Sequence, residues 1–106
     1  MNGKETLQVS KAQIEDFCRK WKVAELHLFG SVLREDFGPE SDVDVLVGFL
    51  PGAPWGLLDL VRMEGELSRL FGRKVDLVER PAVERSENYI RRGRILSSLE
   101  PLYVAG

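Results

Sequence analysis

Three aspartates and a Gly-Ser pair are the residues of this chain whose types and spacing suit chemistry. GSVLREDFGPESDVD runs from Gly30 to Asp44, so ten residues separate Gly30-Ser31 from the Asp42-Val43-Asp44 triplet. A third aspartate, Asp76, follows in KVDLV. Carboxylate oxygens are the hard ligands that Mg²⁺ takes, and Mg²⁺ completes its octahedron with substrate phosphates. Two such ions about 3.5–4 Å apart stabilise both the attacking and the leaving oxygen of an in-line displacement. That donor set is what nucleotidyl transfer with two metals requires, and a Gly-Ser turn lets a triphosphate approach the backbone. Asp-x-Asp alone also occurs in glycosyltransferases and calcium loops, and Ser-Asp near Gly-Pro is ordinary turn chemistry. The combination with Gly-Ser after an apolar strand and a later Val-Asp-Leu-Val segment is far more specific.

The elements around these residues predict how they are positioned. DVDVLVGF reads as a strand with Val43, Val45 and Val47 on one face and Asp42, Asp44 and Leu46 on the other. Charged residues are costly inside a core, so the two carboxylates belong at a sheet rim, with Leu46 under a packing helix. AELHLFG is a second strand, with Leu26 and Leu28 opposed to His27 and Phe29. SVLREDF reads as a short helix stopped by Gly38-Pro39. Ser10 and Gln13 form a capping box opening a helix with Ile14, Phe17, Cys18 and Trp21 on its apolar side. Pro54 predicts a helix from about Trp55 to Phe71, with Leu60, Met63, Leu67 and Leu70 on one side and Gly72 as its stop. RKVDLVE is the third strand, SENYIRRGRIL a weaker helix interrupted at Gly93, and 101–104 a short edge strand. The order predicts an α/β fold: a small mixed β-sheet flanked by helices.

Composition bounds the rest. The 106 residues make one domain, 1–106, with 43% hydrophobic and 30% charged residues. No apolar run approaches the roughly 20 residues needed to span a bilayer. The N-terminus MNGKETLQVSK lacks an apolar signal core, which predicts a cytoplasmic protein. The single Cys18 excludes an internal disulfide, the single His27 excludes a His-rich zinc site, and a net charge of -2 argues against broad nucleic-acid binding.

The Gly-Ser and Asp-x-Asp pattern, with its third carboxylate on a later strand, resembles the minimal nucleotidyltransferases of the DNA polymerase beta superfamily, the MNT type. The likeness spans nearly the whole chain. It implies a polymerase-beta-like nucleotidyltransferase fold, ATP as donor and Mg²⁺ as cofactor. It also implies a partner, a HEPN-domain toxin, whose tyrosine would accept AMP while this chain acts as antitoxin. Carried onto this sequence, Asp42 and Asp44 would bind the metal on the donor triphosphate, and Asp44 and Asp76 the second metal. Asp76 would double as general base. Gly30 and Ser31 would contact the β- and γ-phosphates through backbone N–H groups, with Arg34 one helical turn on. Larger relatives carry a second domain for the acceptor, and this length leaves no room for one. The alternative function is a non-catalytic module that masks its toxin; a weaker one is transfer to a small molecule.

The remaining candidates read as structural. Cys18 is a small core hydrophobe, and His27 packs or hydrogen-bonds on its strand. Trp55 staples its helix, with stacking on adenine or a docking surface shared with Tyr103 as its lesser readings. Arg91, Arg92 and Arg94 read as a solvated helix face, with contact to the toxin or to RNA as the alternative.

Overall fold

The computed structural model describes residues 9–30 and 42–105. Helix α1 (Lys11–Lys20) starts at the capping box: the Gln13 amide donates to Ser10 Oγ at 3.1 Å, and the Ser10 amide to Gln13 Oε1 at 3.0 Å. Two orphan helix donors are thus satisfied by one Ser-x-x-Gln unit. Strands β1 (Val23–Phe29) and β2 (Val43–Phe49) follow, then helix α2 (Leu57–Phe71) and strand β3 (Val75–Glu79). Two helices, α3 (Arg80–Glu84) and α4 (Tyr89–Ser97), and strand β4 (Glu100–Val104) complete the described chain.

The sheet order is β3-β2-β1-β4. β1 is antiparallel to both β2 and β4, while β2 and β3 are parallel. Alternation assigns the two faces. Leu26, Leu28, Val43, Val45, Val47 and Val75 point to one face, where Ile14 and Phe17 of α1 and Met63 and Leu67 of α2 close the main core. Fully burying each such side chain contributes about 1.5–3 kcal/mol. Phe29 and Leu46 point to the other face, beneath Val83 of α3 and Ile95 of α4. This is the small mixed sheet flanked by helices that the residue pattern predicts.

Three details differ from the sequence reading. Helix α2 begins at Leu57, two residues after Trp55, because Trp55 is engaged elsewhere: its Nε1 donates to the Trp21 carbonyl at 2.6 Å and its ring meets Trp21 edge-to-face at 5.0 Å. Gly56 then caps the helix, with its amide bonded to the Asp59 carboxylate at 3.0 Å. Helix α3 is new; five residues are too few to show periodicity, and Pro81 in its first turn is the one signal it leaves. Helix α4 runs unbroken through Gly93, held by the Asn88 cap on the Arg91 amide and by the buried Ile95. The predicted helix beginning at Ser31 lies outside the described residues. Among the described residues no helix is long and apolar enough to cross a membrane.

Candidate active site

Two of the three aspartates, Asp44 and Asp76, meet at one end of the second sheet face, and Asp42 does not join them. Parallel pairing of β2 with β3 sets Asp44 directly opposite Asp76. Antiparallel pairing of β1 sets Phe29 beside Asp44 on the other flank. Since Val43 and Val75 are both buried in the main core, their neighbours Asp44 and Asp76 must emerge on the opposite side. There they line a cleft of about 510 Å³ whose floor includes Phe29 and Ile95. Asp44 is half-buried and Asp76 exposed, so both reach solvent.

Gly30 ends β1 at the rim of this cleft, with φ +72°. A side chain there would be strained in the left-handed region. It would also collide with the Asp44 carboxylate, because a Cβ at position 30 would fall on Asp44 Oδ2. Gly30 therefore sets both the turn and the space for Asp44.

Asp42 stands exposed immediately before β2 and is not among the cleft-lining side chains. Ser31 and Arg34 lie outside the described residues. Among the described residues no three His, Cys, Asp or Glu side chains form a ready metal-ligand cluster. The paired Asp44 and Asp76 nevertheless suit Mg²⁺, which is commonly held by one or two carboxylates plus substrate phosphates rather than by an all-protein cage.

The helical side of the cleft is basic. Helix α4 lays Arg91 and Arg94 along the cleft, with Ser98 just past its end and Ile95 anchoring the helix on the sheet. Arg91 and Arg94 are exposed, as a solvated face should be, but that face borders the cleft. Arg92 departs from the reading, half-buried with its Nη1 donating to the carbonyls of Glu84 at 3.4 Å and Ser86 at 3.1 Å. The usable signal is spacing. Arg91 is a helix-surface neighbour of both the buried Ile95 at i+4 and Arg94 at i+3, which brings the two arginines to the edge of the packed side.

A second polar set lies on the same face at the far end of the sheet. Glu25 accepts from Arg80 Nε at 2.9 Å and Nη2 at 2.6 Å, and from His27 Nε2 at 2.8 Å. His27 is buried, as a strand histidine making a local bond should be, and its Nδ1 has no partner among the described residues. Gly48 opposes Glu25 in register, and a Cβ there would come within 2.7 Å of Glu25 Oε2. Burial raises the Glu25 carboxyl, but the Arg80 and His27 hydrogen bonds outweigh it and leave the group below its ordinary value. Cys18 is inert by contrast: burial, then the Glu15 charge, push its thiol up to about 12.

Comparison with known proteins agrees with this geometry. Residues 10–98 match the protein family described as Nucleotidyltransferase domain. A Methanocaldococcus jannaschii protein with a provisional protein adenylyltransferase name is 36% identical over 80 residues, 76% of each chain. The protein adenylyltransferase MntA of Thermococcus cleftensis is 33% identical over 75 residues, 69% of this chain and 72% of that one. A solved structure provisionally assigned as a minimal nucleotidyltransferase superposes with a TM-score of 0.64 at 30% identity, covering 95% of this chain and 96% of that one. A toxin-antitoxin structure with AMP-PNP shares the fold at TM-score 0.67 and 17% identity, over 92% of this chain and 75% of its own. A Shewanella oneidensis complex of a tri-AMPylated HEPN toxin with an MNT antitoxin shares it at TM-score 0.59 and 20% identity, over 90% of this chain and 70% of its own.

Proposed function

The chain belongs to the nucleotidyltransferase domain family, and we propose that it transfers AMP from ATP to a tyrosine hydroxyl of a HEPN-type toxin, acting as that toxin's antitoxin. The observation that carries the reading is the register pairing of Asp44 with Asp76 in a cleft rimmed by Gly30. The relatives named protein adenylyltransferase, and the fold shared with a complex containing an AMPylated toxin, support the reading of a protein acceptor.

In the transfer, the acceptor oxygen forms a bond to the α-phosphorus as the bond from that phosphorus to the bridging oxygen breaks. Pyrophosphate leaves with the bonding pair. The phenol proton goes to Asp76, the more exposed of the two paired carboxylates and the one on the outer strand. Asp44 and Asp76 would hold Mg²⁺, which when bound would neutralise the phosphates and orient them for in-line attack. Gly30 keeps the backbone open so that the donor can approach beside Asp44. The cleft is open on its solvent side, and a docked partner would order the acceptor and exclude water from it.

The test is incubation with labelled ATP, Mg²⁺ and the HEPN-type partner, followed by intact-mass analysis. Addition of AMP units to the partner by wild type and not by Asp44→Asn is the expected result. An unmodified partner that is nevertheless neutralised by Asp44→Asn would establish masking instead. Rapid adenylylation of a small metabolite by the isolated chain would replace the protein acceptor.

A further inference from the structure

The two arginines of the cleft have no role in the reading above, and their setting gives them one. Arg91 and Arg94 line the same cavity as Asp44 and Asp76, from the helix that closes it. Guanidinium groups that share a cleft with carboxylates can form ion pairs with them. Here, among the described residues, neither side chain makes a hydrogen bond or ion pair, in contrast to Arg80 on Glu25 and Arg92 on the α3–α4 turn. Both are exposed enough to reorient and are fixed at their base by Ile95, which is 8% exposed. The cleft thus has an acidic wall suited to a cation and a basic wall suited to an anion. A metal-bound polyphosphate is the ligand class that presents both.

We propose that Arg91 and Arg94 clamp the pyrophosphate end of the nucleoside triphosphate donor, gripping phosphate oxygens that the metal leaves free. Guanidinium forks match phosphate oxygens in pairs, and two forks one helical turn apart suit successive phosphate groups. The clamp would also stabilise charge developing on the leaving pyrophosphate. It places the triphosphate between β2 and α4 and makes α4 a part of the donor site rather than a surface helix. The proposal rests on the nucleotidyl-transfer reading, so its test must separate the two.

The experiment is calorimetric binding of ATP, AMP and inorganic tripolyphosphate to the full chain, with EDTA and with Mg²⁺. The variants are Arg91→Gln, Arg94→Gln and the double substitution; Arg94→Lys tests geometry. Exposed side chains at these positions leave folding intact, checked by thermal melts. Each single variant should bind ATP and tripolyphosphate about fivefold to tenfold more weakly, and the double variant about fiftyfold, with AMP affinity unchanged. Arg94→Lys should recover part of the affinity, since it keeps the charge without the fork. Equal ATP affinity in wild type and the double variant overturns the clamp and leaves the transfer reading standing. Equal losses for AMP and ATP also overturn it, because the arginines would then act on the nucleoside or α-phosphate. No ATP binding by wild type with Mg²⁺ overturns both.

Discussion

The backbone of Gly30 lies so close to Asp44 that a Cβ at position 30 would sit on the carboxylate of Asp44. The end of one strand therefore fixes the position of a candidate metal ligand on the next.

This relationship predicts the behaviour of Gly30→Ala. The left-handed backbone alone costs an alanine about 1–2 kcal/mol. Gly52 provides the control, with φ +83° and open space where a Cβ would go. Gly52→Ala should lower the melting temperature but leave transfer at the wild-type rate. Gly30→Ala should lower both, because Asp44 must also move. Equal transfer rates for the two variants would show that the Asp44 position is not set by Gly30.

Asp44→Asn and Asp76→Asn should each cut transfer by orders of magnitude and leave the fold intact. Each swap is nearly isosteric and removes one charge from a solvent-reaching rim, so stability should change by less than about 1 kcal/mol. Mg²⁺ binding to the native state should raise the wild-type melting temperature in a millimolar titration. Neither variant should show the full rise. A wild-type melting curve indifferent to Mg²⁺ would count against the paired carboxylates as ligands.

How much of this was legible before the structure follows from the range of the interactions. The valine alternation around Asp44 and the Ser10–Gln13 box are local, and both appear as read. The mixed sheet followed from element order and alternation. What the sequence hid depends on tertiary docking. Arg91 and Arg94 look like any helix-surface pair until Ile95 turns that side of α4 onto the sheet. Trp55 bonds to Trp21, which is distant in sequence, and this moves the start of α2 by two residues. The Glu25–Arg80 pair joins residues 55 positions apart, a separation no periodicity reports.

Cys18 should resist alkylation in the native state. Only the thiolate reacts, and burial together with the Glu15 charge pushes this thiol up to about 12. Iodoacetamide at pH 8 should label it at the rate of unfolding, and promptly in denaturant. Fast labelling of the folded protein, followed by mass spectrometry, would contradict its place in the main core.

The Glu25 set should make stability depend on acid pH. Its folded-state value is depressed below the ordinary 4.5, so the unfolded chain takes up this proton first. The stabilisation is complete above about pH 4.5 and is lost as pH falls through the lower folded value. At pH 7, Glu25→Gln should cost about 1–3 kcal/mol in urea denaturation, since it breaks the fork with Arg80 and leaves both partners poorly matched. The gap from wild type should narrow below pH 4.5; a constant gap down to pH 3 would remove Glu25 as the titrating group. The consequence for function is longer in range. Arg80 opens α3, and α3 leads directly into the helix carrying Arg91 and Arg94. Loosening the fork frees that segment at its root, so Glu25→Gln should weaken ATP binding severalfold at pH 7 although Glu25 lies at the opposite end of the sheet from the cleft. Calorimetric titration with ATP measures this, and unchanged affinity in a destabilised Glu25→Gln would show that α4 is held by Ile95 alone.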